Sequence, residues 1–417
     1  MNNAFRAGKT GTMVTGQPPG PVVRKYGGTS LATPGRIRDA AADLAACARA
    51  GARVVVVVSA MGDTTDRLVA LARGFADRPD PRELDQVLAT GEQVSAALMA
   101  LALRQHGVAA VSLSGGQAGI ETDGEPGAAR VVRVDPEPVL GRLAAGQVVV
   151  VAGFQGRDAA GELRTLGRGG SDTTAVALAA ALGATGCEIC TDVPGVHTAD
   201  PRIVPDSRPV PSIRADVMAE LARGGAAVLH PRSVELAGRH GVTVRVTHAS
   251  RTGPATTVRP GAPALERGTE VVGIAHARDV HLVRVAEPGL GLRGGPRLLA
   301  DLAGSGLRPD TLSWPERGEL RFTVRGAEPL DRLEALGVRC TVDSGFGAVS
   351  VVGTGLLDAP GPVAHVLRLA GELGVTVPAM ATSAGRLTAV FPGGLLEAAV
   401  RALHRSFGLD RPGEDRP

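Results

Sequence analysis

The stretch that decides the fold is residues 165–203, TLGRGGSDTTAVALAAALGATGCEICTDVPGVHTADPRI. Gly167, Gly169 and Gly170 permit a tight turn with exposed amides, and Ser171 and Asp172 stand where helix N-cap residues belong. The run 173–182 is rich in Ala, Leu and Val with no breaker, which predicts a helix whose positive end faces whatever the glycines cradle. Arg168 adds a planar donor fork suited to a carboxylate or phosphate. A glycine turn feeding a helix, a short strand and a Pro/Gly-punctuated loop is how α/β proteins build a site for an anion, although such a turn alone serves equally as a structural device.

The same order of strand, glycine turn and helix recurs upstream. VVRKY at 22–26 reads as a first strand ending in Gly27-Gly28-Thr29-Ser30, with a helix following to about residue 50. Lys25, beside that turn, can reach a phosphate held on its amides, or else ends the strand in solvent. Five valines at 54–58 read as a parallel strand buried on both faces, delivering the polar loop 59–65 at its C-terminal end, where ligands bind in open sheets. A helix follows from about residue 66, and a longer one at 83–104 carries TGEQ at 90–93, with Glu92 on what reads as a solvated face. Strands at 108–113 and 147–152 flank a charged, Gly/Pro-rich insertion at 121–138, and the second leads into Gly153-Phe154-Gln155-Gly156.

Beyond the central stretch, 212–223 reads as helical, 224–232 as a turn and short strand, 233–240 as a helix and 243–247 as a strand. Residues 250–268, rich in Gly, Pro, Thr and Arg, read as a connection. Short strands at 271–275, 281–285, 319–324, 348–352 and 387–391 then alternate with helices at 295–304, 329–336, 362–373 and 395–407. The expected organisation is a mobile extension at 1–20 and an α/β domain at 21–260, an open and mostly parallel sheet flanked by helices. Two small α+β modules at 261–345 and 346–410 and a tail at 411–417 follow.

Composition narrows the function. With 417 residues, 44% hydrophobic, 21% charged and a net charge of +3, the chain reads as an ordinary globular protein without a basic arm. Aromatic content of 2% leaves few stacking platforms, so nucleic acid is not expected as a partner. Four cysteines do not make a disulfide framework. Cys187 and Cys190 are spaced C-x-x-C, but on a strand such residues point to opposite faces and pack rather than share a metal. No signal-peptide core and no apolar run of membrane-spanning length is evident, so a cytoplasmic protein without a membrane partner is expected.

Taken together these motifs resemble the aspartate kinases of the amino-acid-kinase family, from residue 22 to 409. The motifs carrying it are KYGGTS at 25–30, the 59–66 loop, TGEQ at 90–93, LGRGGSDT at 166–173, TDVPG at 191–195, TADPR at 198–202 and VLHPR at 228–232. The resemblance implies ATP-dependent phosphorylation of the side-chain carboxylate of L-aspartate, using MgATP. It implies that Lys25 neutralises the transferring phosphoryl group, that Arg168 clamps the α-carboxylate, and that Glu92 and Asp172 hold the ammonium. Ser59, Thr65, Phe154 and Ser171 complete that pocket, and Asp172 also orients the reactants. Gly27, Gly28, Thr191, Asp192, His197 and Arg202 fall on the nucleotide side, and no protein-held metal is implied.

His197 stands where the family usually has tyrosine, and Ala227 where a lysine beside ATP is common. The C-terminal part resembles tandem ACT modules, implying an amino-acid effector and a homodimer through those modules. Both effector loops depart from the pattern, at EPGL 287–290 and ATSAG 381–385, which predicts weak or altered feedback. Two other readings stay open: a kinase for a related amino-acid carboxylate, and a catalytically weak regulatory subunit that binds amino acids.

Overall fold

The computed structural model describes residues 20–411 apart from 262–267, 287–294, 305–306, 308, 314–318, 327, 336 and 359. The extension at 1–19 and the loop at 287–290 thus lie outside the described residues. The first part of the chain runs β1 (Val22–Tyr26), α1 (Pro34–Arg49), β2 (Val54–Val58), α2 (Thr64–Arg73), α3 (Pro81–Gln105), β3 (Ala110–Leu113), β4 (Ile120–Thr122), β5 (Val131–Val134), α4 (Glu137–Ala144) and β6 (Val148–Ala152). It continues through β7 (Gln155–Arg157), β8 (Leu163–Thr165), α5 (Gly170–Ala181), β9 (Gly186–Thr191), β10 (Ser212–Arg214), α6 (Ala215–Gly224), α7 (Pro231–His240), β11 (Val244–His248) and β12 (Thr256–Arg259).

Helix starts follow local chemistry. Thr33 caps α1 by accepting from the Arg36 amide, and Asp80 caps α3 by accepting from the amides of Arg82 and Glu83, each with proline at the first helical position. The eight-stranded main sheet has the order β10-β12-β11-β9-β1-β2-β6-β3, and every pairing is parallel except that of β11 with β12. β1 is flanked by β2 on one side and β9 on the other, so the strand order reverses about it and its C-terminal end opens a crevice.

Both faces of this sheet are covered, which is why β2 and β6 are continuously apolar. Val54, Val56 and Val58 pack into one core with α1 and α3, whereas Val55 and Val57 pack into another with α5. Cys187 and Cys190 divide between the same two cores, as side chains three apart on a strand must, and burial raises the thiol pKa of each. α5 is buried from Gly170 to Ala179, consistent with its near-continuous apolar sequence.

Several local expectations are corrected. The 121–138 insertion contains β4 and β5, which join β7 and β8 in a four-stranded sheet. The predicted helix at 212–223 begins instead as β10, the 224–232 segment is a turn into α7 and not a strand, and the 250–268 connection supplies β12 to the main sheet. These short strands carry too few residues to show a period. α3, at 25 residues with hydropathy 1.2, is long and apolar enough to cross a membrane, against expectation. Half of its most apolar window is buried, against α1, β3 and β6 among others.

The remaining chain forms β13 (Glu270–Ala286), α8 (Gly295–Gly304), β14 (Thr311–Ser313), β15 (Glu319–Arg325), α9 (Glu328–Ala335), β16 (Cys340–Thr354), α10 (Gly361–Glu372), β17 (Met380–Ser383), β18 (Arg386–Pro392) and α11 (Leu396–Ser406). One antiparallel sheet, ordered β14-β15-β13-β16-β18-β17, serves both modules. The strands expected at 271–275 and 281–285 are a single strand whose register slips between Ala277 and Val280, where Asp279 has φ 54°. Val283, Leu302, Phe322 and Leu333 fill one core, and Ile274, Val349, Phe391 and Leu403 fill the other.

The second of these cores also takes in Ala199, Ile203 and Val204 from the loop after β9. Thr198 fastens the same loop, accepting at its carbonyl from the Ile274 amide at 2.7 Å and pairing its hydroxyl with His404 Nε2 at 2.9 Å.

Candidate active site

The C-terminal ends of β1, β2, β6 and β9 and the start of α5 converge on one crevice. Lys25 Nζ lies 2.7 Å from Asp172 Oδ1, with both side chains about nine-tenths buried, an ion pair whose geometry falls short of a hydrogen bond. The helix N-cap is Gly169, at φ 71°, and not Ser171 or Asp172 as the sequence suggested. Those two residues occupy the first turn, where an acidic side chain still gains from the helix dipole. Gly167 is also left-handed, at φ 70°, so the turn holding Arg168 needs glycine on both sides of it. Arg168 is exposed and makes no hydrogen bond or ion pair among the described residues, which leaves its fork available to a ligand.

Gly28 permits a close approach between the β1 and β2 loops: a Cβ there would lie 2.7 Å from the Ala60 carbonyl, and its own carbonyl accepts from the Gly62 amide at 3.0 Å. The Gly27 amide donates to the Cys190 carbonyl. Ser59 and Thr65 lie on either side of this loop, each half-buried. Glu92 corrects the expectation of a solvated face. It is buried at 3% exposure and takes a hydrogen bond from the Ala60 amide at 3.0 Å on Oε1, while Oε2 is unpartnered. Burial pushes its carboxyl up to about 7, against which the Ala60 hydrogen bond works only partly.

Phe154 adopts φ 70°, a strained conformation for a non-glycine residue, held by its amide to Thr174 Oγ1 at 3.2 Å and its carbonyl to the Leu166 amide at 2.8 Å. A Cβ on Gly170 would lie 2.9 Å from the Phe154 ring, and one on Gly153 would lie 2.9 Å from Ser171 Cβ. Lys25 and Asp172 thus meet directly, Phe154 and Ser171 pack at the start of α5, and Glu92 is joined to the β2 loop through Ala60.

On the other side of β1, Thr191 donates from its hydroxyl to Asp192 Oδ1 at 3.0 Å. His197 faces Ser207, and Arg202 is bidentate to Asp200, at 3.0 and 2.8 Å, with its side chain 88% exposed. Ala227 is exposed in the turn between α6 and α7.

Residues 20–248 match the model of the amino acid kinase family. The aspartokinase of Geobacillus stearothermophilus is 41% identical over 94% of this chain and 98% of its own length, and that of Thermus thermophilus is 40% identical over 94% and 99%. The chain belongs to the aspartokinases. Among solved aspartokinases, E. coli aspartokinase III in complex with aspartate and ADP is 26% identical, with TM-score 0.76 over 93% of this chain and all of the other. Its complex with lysine and aspartate gives 0.71.

Motif reading of an aspartokinase does not reach every residue that shapes this crevice. The Ala60 amide and the Thr174 hydroxyl escaped it, the first because a backbone donor has no sequence signature, and Arg232 stood in a quoted motif without a role. Arg232 is the last residue of the VLHPR motif and donates to the Leu166 and Ala129 carbonyls.

Proposed function

We propose that this enzyme phosphorylates L-aspartate by alignment and charge neutralisation, without a general base. The acceptor carboxylate, with a pKa of about 3.9, is already ionised at neutral pH. One of its oxygens bonds to the γ-phosphorus of MgATP as the bond to the bridging β,γ-oxygen breaks, giving 4-phospho-L-aspartate and ADP with no proton transferred. Mg²⁺ would be carried in on the nucleotide's phosphates.

Lys25 supplies the positive charge for the transferring group and Asp172 holds it in place, the 2.7 Å contact between them being the observation that carries this reading. Arg168 clamps the α-carboxylate and Glu92 receives the ammonium together with Asp172, whose Oδ1 stays on Lys25. Ser59, Thr65, Phe154 and Ser171 wall the amino-acid pocket. Gly27, Gly28, Thr191, Asp192, His197 and Arg202 form the nucleotide side. ADP release coupled to aspartate tests the activity. The clamp is tested by Arg168→Lys, which should raise KM for aspartate at least tenfold because an ammonium cannot reproduce the fork.

The modules act as a dimerisation platform with weakened effector sensing. Their sheet ends in two short edge strands, β14 and β17. The 384–385 turn is packed against the catalytic part: a Cβ on Gly385 would lie 3.2 Å from Glu220 Cγ. Sedimentation distinguishes a homodimer from a monomer.

A further inference from the structure

We infer that His230 is a positioning residue for aspartate phosphorylation: it seats the turn that carries Arg168 and thereby sets the affinity for the amino acid. The inference rests on the reading of Arg168 as the α-carboxylate clamp. A Cβ on Gly169 would lie 2.1 Å from His230 Cγ and 2.2 Å from its Cβ, so the imidazole is seated directly against the backbone of the residue after Arg168. At the other end of the turn, Arg232 donates to the Leu166 carbonyl at 2.6 Å and to the Ala129 carbonyl at 3.0 Å. Both ends of the 166–169 turn are thus held by the start of α7, a separate element packed on α5 and α6.

His230 is itself fixed. As the N-cap of α7 its Nδ1 accepts from the Arg232 amide at 3.3 Å, and its carbonyl accepts from the Ser233 hydroxyl at 2.7 Å. Accepting at Nδ1 requires the neutral ring. Burial, with the Arg232 and Arg168 charges, holds its pKa below the ordinary imidazole value against the opposing pull of Asp172 and Glu235.

The physical need for such a wedge lies in the turn. Gly167, Gly169 and Gly170 have no side chains with which to define their own position, and the first two sit in the left-handed region. A bidentate guanidinium contact depends on orientation, and a displacement of about 1 Å at a reacting site can reduce the rate about a hundredfold. The ring supplies from α7 the contact that the glycines cannot make.

The test separates positioning from simple helix capping. His230→Asn retains an N-cap acceptor but removes the ring, so Tm should stay within a few degrees of wild type while KM for aspartate rises about five- to tenfold and kcat changes less than about threefold. Gly169→Ala should raise KM strongly. In the His230→Gly background, which removes both the ring and the Cβ that lies 2.2 Å from the new methyl, the same change should have a several-fold smaller effect, the remainder being the strain of alanine at φ 71°. Wild-type KM in His230→Asn, or effects of Gly169→Ala that multiply independently of His230, would overturn the assignment. Arg168→Lys is measured alongside: an unchanged KM there overturns the clamp itself, whereas a raised KM there with an unchanged KM in His230→Asn overturns only the role of His230.

Discussion

With Glu92 as the proposed partner of the substrate ammonium, its buried carboxylate should make aspartate recognition pH-dependent where a solvated one would not. Its pKa is raised from 4.5 to about 7 by burial, and at 1.36 kcal/mol per unit this makes ionisation in the empty site less favourable by about 3 kcal/mol. Only the ionised form pairs with the substrate ammonium, so the binding-competent fraction is about one-tenth at pH 6 and about nine-tenths at pH 8. The expected result is that kcat/KM for aspartate rises about tenfold between those values, levelling off above pH 8 and approaching unit slope only below pH 6, and that Glu92→Gln lowers it and abolishes the dependence. Aspartate binding at pH 7 should release about half a proton, readable by calorimetry in buffers of different ionisation enthalpy.

The stability of the empty enzyme should move in the opposite direction. A folded pKa above the unfolded value means that the contribution of Glu92 is fully present below about pH 4.5 and is lost as pH rises through about 7. Glu92→Gln should therefore be more stable than wild type at pH 8 and equal to it at pH 4. A flat kcat/KM profile, or the same ionisation persisting in Glu92→Gln, would refute the assignment of this group to the ammonium.

Lys25→Ala should lower kcat by orders of magnitude and also lower stability, by about 3 kcal/mol, because it strands the largely buried Asp172 carboxylate. Lys25→Ala with Asp172→Asn should recover the Tm but not the turnover, and recovery of both would remove Lys25 from the mechanism. Ala227→Lys, at an exposed position in the α6–α7 turn, should lower KM for ATP by a few-fold to tenfold. An unchanged KM would mean that another residue already fills that role. Lysine and threonine, singly and together, should inhibit weakly at subsaturating aspartate. Half-inhibition below about 1 mM in initial-velocity titrations would show a working sensor, since an effector shifts activity only by its differential affinity for two states.

The sequence by itself determined the order of strand, glycine turn and helix, because Gly167, Gly169 and the continuous valines of β2 and β6 carry their constraints locally. It also placed the loops after β1, β2 and β6 together, since strand ends in a parallel sheet deliver their loops to one edge. The opposed faces of Cys187 and Cys190 likewise follow from strand period alone.

Tertiary structure alone decided which side of α3 is buried. The exposed stripe of Val94, Leu98 and Leu101 is as apolar as its core face, so periodicity could not put Glu92 inside. It decided the pairing of Lys25 with Asp172 and the seating of His230 on Gly169, contacts between separate elements that leave no spacing to read. It also decided that the loop after β9 is anchored by Ala199, Ile203 and Val204 in the core of the second module. A segment that reads as a catalytic loop in one dimension is part of the tail's core in three, because burial of its apolar side chains is completed only by strands and helices that come later in the chain.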